Sequence, residues 1–129
     1  MQKYVWVIAL IGILALSSCV GRDTEAPTVV STNPPNGSQD VDPNLTEISV
    51  TFSEAMRDKS WSWAYEQQAK FPQITGDPSY DAGLTTNTLP VALEPNKEYE
   101  IWINTDQFKN FTDKAGNPAL PFKLTFKTK

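Results

Sequence analysis

The sequence predicts an all-β fold: an antiparallel β-sandwich of about seven strands with Greek-key connections, preceded by a signal peptide. Three observations lead there. Several short segments alternate apolar and polar residues with period 2. All ten prolines lie beyond residue 26, most of them between those segments as turn signals. The one stretch able to form a helix, residues 54–69, has poor helical periodicity. At 129 residues the chain has room for one domain.

Residues 1–18 read as an address rather than as part of the fold. Lys3 supplies a positive charge, and residues 5–16 form an uncharged apolar run. That run falls short of the roughly 20 residues needed to cross a ~30 Å hydrocarbon core. A basic start, an apolar run and small residues after it make a secretory signal peptide. Leu16, Ser17, Ser18 and Cys19 resemble the bacterial lipobox. The resemblance implies cleavage after Ser18, a diacylglyceryl group on the Cys19 thiol and an acylated new N-terminus. Two or more acyl chains anchor a protein stably where one does not. Cys19 is the sole cysteine, so no disulfide forms within the chain. Residues 19–26 then form a solvated tether carrying Arg22, Asp23 and Glu25, and the domain spans 27–129. Val20 rather than Asp follows the cysteine, which in the commonest Gram-negative sorting rule implies the outer membrane, facing periplasm or cell surface.

Beyond the tether each segment reads as a strand in turn. Thr28 to Ser31 is a short extended run that stops at Asn33, Pro34, Pro35, Asn36 and Gly37. Residues 46–52 alternate strictly, with Ile48, Val50 and Phe52 on one face. In residues 89–93, Leu89, Val91 and Leu93 share a face, and Pro90 on the other suits an edge strand. Tyr99, Ile101 and Ile103 share a face of residues 98–103, with Trp102 opposite. Phe122, Leu124 and Phe126 point inward from the last run. Val30 is expected to join these residues in the core.

Leu93, Pro95 and Tyr99 stand before an alternating strand in the spacing of a tyrosine corner, a feature of immunoglobulin-like sandwiches. Three other pieces accompany it in order: residues 26–37, residues 48–56 and the Asp113-Lys114-Ala115-Gly116-Asn117-Pro118 turn before the closing strand. Together they resemble the bacterial Ig-like domain of the S-layer-protein (SbsA) type over nearly all of 26–129. The resemblance implies a non-catalytic sandwich used as a spacer, stalk or accessory module of secreted and surface proteins. The chain departs from that pattern twice. Asn96 replaces a glycine before the corner tyrosine, which Asn tolerates because it enters the left-handed region. The 61–83 insert is longer and more aromatic, leaving its strands open.

Trp61, Trp63 and Tyr65 alternate with small residues and are the candidate ligand-binding residues. Their rings could form a platform for sugars or for a partner's apolar side chains. The competing reading places at least one tryptophan in the core, with Phe71, Tyr80 and Trp102 joining either cluster. Asp113 and Asn117, like Asp40 and Asp42, carry oxygens, but lack the D-x-D-x-D-G spacing of a calcium loop and read as Asx-stabilised turns. No metal or cofactor is expected. The chain has no histidine, which removes Ser-His-Asp and Cys-His catalysis. The carboxylates Glu47, Glu98 and Glu100 fall on outward strand positions, so no catalytic residue is assigned and no enzyme is expected. A net charge of −4 argues against nucleic acid as a partner. The expected partners are the membrane, through the lipid on Cys19, and an envelope protein, with a polysaccharide as the alternative ligand.

Overall fold

A computed structural model describes residues 23–129. The signal peptide and Cys19 lie outside the described residues. Nine strands follow in order: β1 (Val29–Asn33), β2 (Ser38–Val41), β3 (Glu47–Phe52), β4 (Trp63–Ala64), β5 (Gln73–Ile74), β6 (Ser79–Tyr80), β7 (Thr86–Ala92), β8 (Glu98–Ile103) and β9 (Phe122–Thr128). They form two sheets. One runs β1-β3-β7, with β5 and β6 both pairing the far side of β7. The other runs β2-β9-β8-β4. All pairings are antiparallel except β2 with β9. The fold is an Ig-like β-sandwich.

Alternation in the sequence becomes alternation in burial. Along β3 and β8 every second side chain is buried. Ile48, Val50, Phe52, Leu89 and Val91 from the first sheet meet Tyr99, Ile101, Ile103, Leu124 and Phe126 from the second. Each fully buried aliphatic or aromatic chain contributes roughly 1.5–3 kcal/mol by leaving water. Across the sheets' own ladders, Ile48 stands opposite Leu89 and Ile101 opposite Leu124. The end of the sandwich where β3 and β8 finish is closed by Met56, Phe111 and Ala119, with the Phe52 and Phe111 rings 5.1 Å apart.

Two expectations are corrected here. Val30 is 59% exposed rather than in the core. The register of β1 against β3 shifts between Val29 and Ser31, so Val29 packs on the core and Val30 turns outward. One bulged residue reverses every later side chain's face. Pro90 lies on β7, an inner strand, not an edge. Ile74 pairs with Val91 and Ser79 with Thr88, so four residues, 75–78, face only Leu89 and Pro90. The neighbouring chain therefore bows out where Pro90 has no N–H to offer. Thr75 N still donates to Pro90 O at 3.0 Å. A Cβ on Gly76 would stand 3.4 Å from Pro90 Cγ, about van der Waals contact, so the bow lies directly against the proline ring. Residues 54–69, whose helical periodicity is poor, form no α-helix; they hold β4, and a single 3-10 turn, Gln68–Lys70, overlaps their end. The 61–83 insert is built from the two-residue strands β4, β5 and β6, which raise the count from about seven to nine.

Candidate functional site

The segment bearing Trp61, Trp63 and Tyr65 is pinned on both sides by polar groups. Ser62 is buried, and its Oγ accepts from Asn110 N at 2.9 Å while its carbonyl accepts from Asn104 N at 3.2 Å. Ser60 Oγ donates to Asn110 O, and Tyr80 Oη donates to Ser60 O at 3.0 Å. Burial, with Asp58 nearby, pushes the Tyr80 hydroxyl well above its ordinary pKa, so it stays protonated and remains a donor. Ser–Trp–Ser–Trp alternation thus fits a short extended piece whose small residues face backbone and whose rings face a groove.

The three rings have unequal surroundings. Trp63 meets Phe111 edge-on at 5.6 Å, and its Nε1–H donates to Asn87 Oδ1 at 2.8 Å. That bond ties β4 of one sheet to β7 of the other. Trp61 packs against Tyr80 with ring centroids 6.3 Å apart. Both tryptophans are half-buried, while Tyr65 is 47% exposed and leans on Phe71 at 5.3 Å. Trp61, Trp63 and Tyr65 line one groove of about 620 Å³, which Ile74, Pro78 and Phe108 complete. A second groove of about 620 Å³ adjoins it, with Glu66, Trp102, Asp106 and Pro121 in its walls. Tyr65 and Phe108 line both, so the two grooves meet at those rings.

Phe108 was not readable as a site residue. It lies in an irregular loop between Gln107 and Lys109, with no periodicity to orient it. The loop nevertheless holds the ring outward. Thr105 Oγ1 accepts from Phe108 N at 3.0 Å and from Gln107 N at 3.2 Å, and Thr105 N donates to Phe108 O at 2.8 Å. An exposed phenylalanine among polar neighbours was the signal on offer.

Behind the loop, Asn104 is the polar centre of this end. Its backbone is left-handed, at φ 61°, and its side chain is fully buried. Nδ2 donates to Phe111 O at 2.9 Å and Ala119 O at 3.0 Å, and Oδ1 accepts from Phe111 N at 3.0 Å. Every hydrogen-bonding direction that matters is satisfied, as a buried amide requires.

Asp113 and Asn117 close their turn on themselves. Asp113 Oδ1 accepts from Asn117 N at 2.8 Å and Oδ2 from Asn117 Nδ2 at 2.9 Å. Asp23 and Glu54 bring carboxylate oxygens within 4.8 Å of Asp113. Burial and the two neighbouring aspartates raise the Glu54 pKa. Burial opposes ionisation of Asp113, yet its bonds from Asn117, then its contacts with Asp23 and Glu54, hold its carboxyl below the usual value. Asp42 Oδ1 accepts from Asn44 N at 2.9 Å, an Asx turn, while Asp40 is exposed on β2.

At the opposite end stands the tyrosine corner. Glu94 N donates to Tyr99 Oη at 2.8 Å, and Tyr99 stacks on Phe126 at 5.2 Å. Asn96 adopts φ 53°, the left-handed value anticipated for it.

Comparison with known proteins converges on this architecture. The family model described as a bacterial Ig-like domain matches residues 23–128. The structure of surface layer protein SbsC, domains 1–6, superposes with a TM-score of 0.51 at 17% identity, covering 82% of this chain and 14% of that one. The crystal structure of the S-layer protein rSbsC(31–844) gives a TM-score of 0.50 at 16% identity, covering 99% and 16%. The chain therefore spans about a seventh of the length of those proteins, and at this identity the likeness is one of fold. No curated protein matches the chain.

Proposed function

The chain belongs to the bacterial Ig-like domain family, and we propose that it serves as a non-catalytic, lipid-anchored module of the bacterial cell envelope, structural or protein-interacting. The observation that carries this reading is where the family match begins: Asp23, four residues after Cys19. Val20, Gly21 and Arg22 separate it from Cys19, the last residue of the lipobox. Three intervening residues reach about 14 Å at most when extended, so a lipid on Cys19 holds the Asp23 end of the sandwich near the membrane. Asn117 Nδ2 donates to Asp23 O at 3.1 Å, which joins the tether to the domain body. In this reading residues 1–18 are removed, 19–26 carry the lipid and tether, and 27–129 form the module, at the outer membrane. Surface layer proteins, long chains that contain domains of this fold, support an envelope role by analogy.

The anchor has a direct test. Cys19→Ala is expected to move the protein from the membrane fraction to the soluble periplasmic fraction or the medium. Membrane retention of that variant would end the lipoprotein reading.

A second reading is a carbohydrate-binding module. The observation in its favour is that Trp61, Trp63 and Tyr65 line a single groove. Strong iodide quenching of the folded protein's tryptophan fluorescence, relieved by an oligosaccharide, is the expected outcome if it holds. Poor quenching that no sugar alters would remove it.

A further inference from the structure

We propose that the cleft joined at Tyr65 and Phe108 binds a basic, partly apolar segment of a partner polypeptide, whose lysine or arginine side chains lie on those rings among Glu66, Asp106 and Asp77. The proposal deepens the protein-interaction reading and rests on it.

Three observations carry it. First, the cleft is open and presents exposed rings. Phe108 is 56% exposed, Tyr65 nearly as much, and the Thr105 bonds fix the loop that presents Phe108. Second, the charge in its walls has one sign. Glu66 and Asp106 line one part and Asp77 the other, and among the described residues no lysine or arginine lines either. An occupant must match that sign, and carboxylates at a rim steer cationic partners and repel anionic ones. A neutral glycan would use the rings and leave the charge unanswered. Glu66 is already oriented, because Trp102 Nε1 donates to its Oε1 at 2.6 Å, leaving Oε2 for a ligand.

Third, the molecule twice assembles the same chemistry from its own residues. Lys97 Nζ stands 5.2 Å from the centroid of the Tyr99 ring and 2.9 Å from Glu94 Oε2. Lys123 Nζ stands 5.8 Å from the Trp102 ring centroid and 3.6 Å from Glu100 Oε1. In each case an ammonium lies over a ring's negative face with a carboxylate beside it. Trp102, on one wall of the cleft, already carries its ammonium, whereas Tyr65 and Phe108 stand beside Glu66 and Asp106 with no ammonium over their rings among the described residues.

The test uses the full chain in detergent and a capped hexapeptide alternating lysine with valine, read by tryptophan fluorescence. The expected result is saturable binding. It should weaken about tenfold when the lysines are acetylated, and about tenfold in Glu66→Gln combined with Asp106→Asn. It should also weaken as salt rises, since the pairs are exposed. Gln keeps an acceptor for Trp102, so the double variant should keep its near-ultraviolet spectrum; Phe108→Ser, on an exposed loop, provides an independent variant with the same expected loss. Equal binding of the acetylated peptide, unchanged binding by the double variant, or tighter binding of a neutral chitin hexasaccharide would each overturn the proposal. A photo-crosslinking side chain placed at Phe108 or at Val30, on a different edge of the sandwich, separates this failure from failure of the wider reading. A partner adduct at 108 that the lysine peptide competes away supports the cleft. An adduct at 30 alone overturns the cleft and leaves the interaction module standing, and adducts at neither overturn both.

Discussion

In β3, β8 and β9 nearly every second side chain is buried and apolar, whereas residues 53–64 and 104–121 bury polar groups at single, unrepeated positions. The first region is held by area. Ile48, Val50, Ile101 and Leu124 reach full burial from a simple pleat. The second is held by directed bonds in which Ser62 Oγ and Asp113 Oδ1 accept from backbone N–H groups and Asn104 Nδ2 donates to backbone carbonyls. The difference explains where a ligand can go. A regular sandwich face fills itself, while an irregular end fastened by polar groups can hold exposed rings such as Phe108 away from the core.

The sharpest way to break that comparison is to cut each region at its centre. Ile101→Ala removes three methylene-scale groups from a site with no solvent access. Loss of transfer energy and the residual cavity together are expected to cost about 4 kcal/mol. Since a domain of this size is stable by roughly 5–15 kcal/mol, that is a large fraction of the whole. The midpoint of urea unfolding, at an unchanged slope, measures it. A cost under about 1 kcal/mol would mean that the sheets are not the source of stability.

Asn104→Gly should cost somewhat less, about 3 kcal/mol. Glycine tolerates φ 61°, so the variant removes the hydrogen bonds to Phe111 and Ala119 without adding backbone strain. Each buried group left unpaired costs about 1–3 kcal/mol, offset where water enters. The loss should also be local. Amide exchange is expected to accelerate through residues 104–121 while β3, β8 and β9 keep their protection. Uniform acceleration would show that the end and the sheets open as one unit.

The same contrast governs what the sequence made legible. β8 and β9 could be read to the residue because alternation is a local signal, complete within six or seven positions. Val30 was misread because a bulge changes the face of a residue without changing composition. The partner of Pro90's missing donor is equally invisible, since it depends on where β5 ends and β6 begins. Asn104 sits one residue after a strand and looks like any turn asparagine; its partners Phe111 and Ala119 are set by the path of a loop. The alternating Trp61, Trp63 and Tyr65 were visible as a group, but Phe108, the ring that joins their groove to the next, lies more than forty positions on. Polar anchoring is long-range and specific to one geometry, so it leaves no period.

The smallest expected effect sharpens the comparison rather than breaking it. Tyr99 belongs to the regular region, and its ring is buried against Phe126, yet its hydroxyl makes one directed bond, from Glu94 N at 2.8 Å. Tyr99→Phe keeps the ring and deletes only that acceptor. Glu94 is exposed, so water can reach its freed N–H, and the expected cost is about 1 kcal/mol. Tyr99 and Asn104 stand towards opposite ends of β8, about 17 Å apart at ~3.4 Å per residue. With no shared partner at that separation, their costs should add to within about 0.5 kcal/mol in the double variant. Coupling of 1 kcal/mol or more would mean that the polar end and the corner communicate through the sheet, and that the two regions are one. Additivity would instead leave the cleft end free to change its loops without disturbing the frame that carries it.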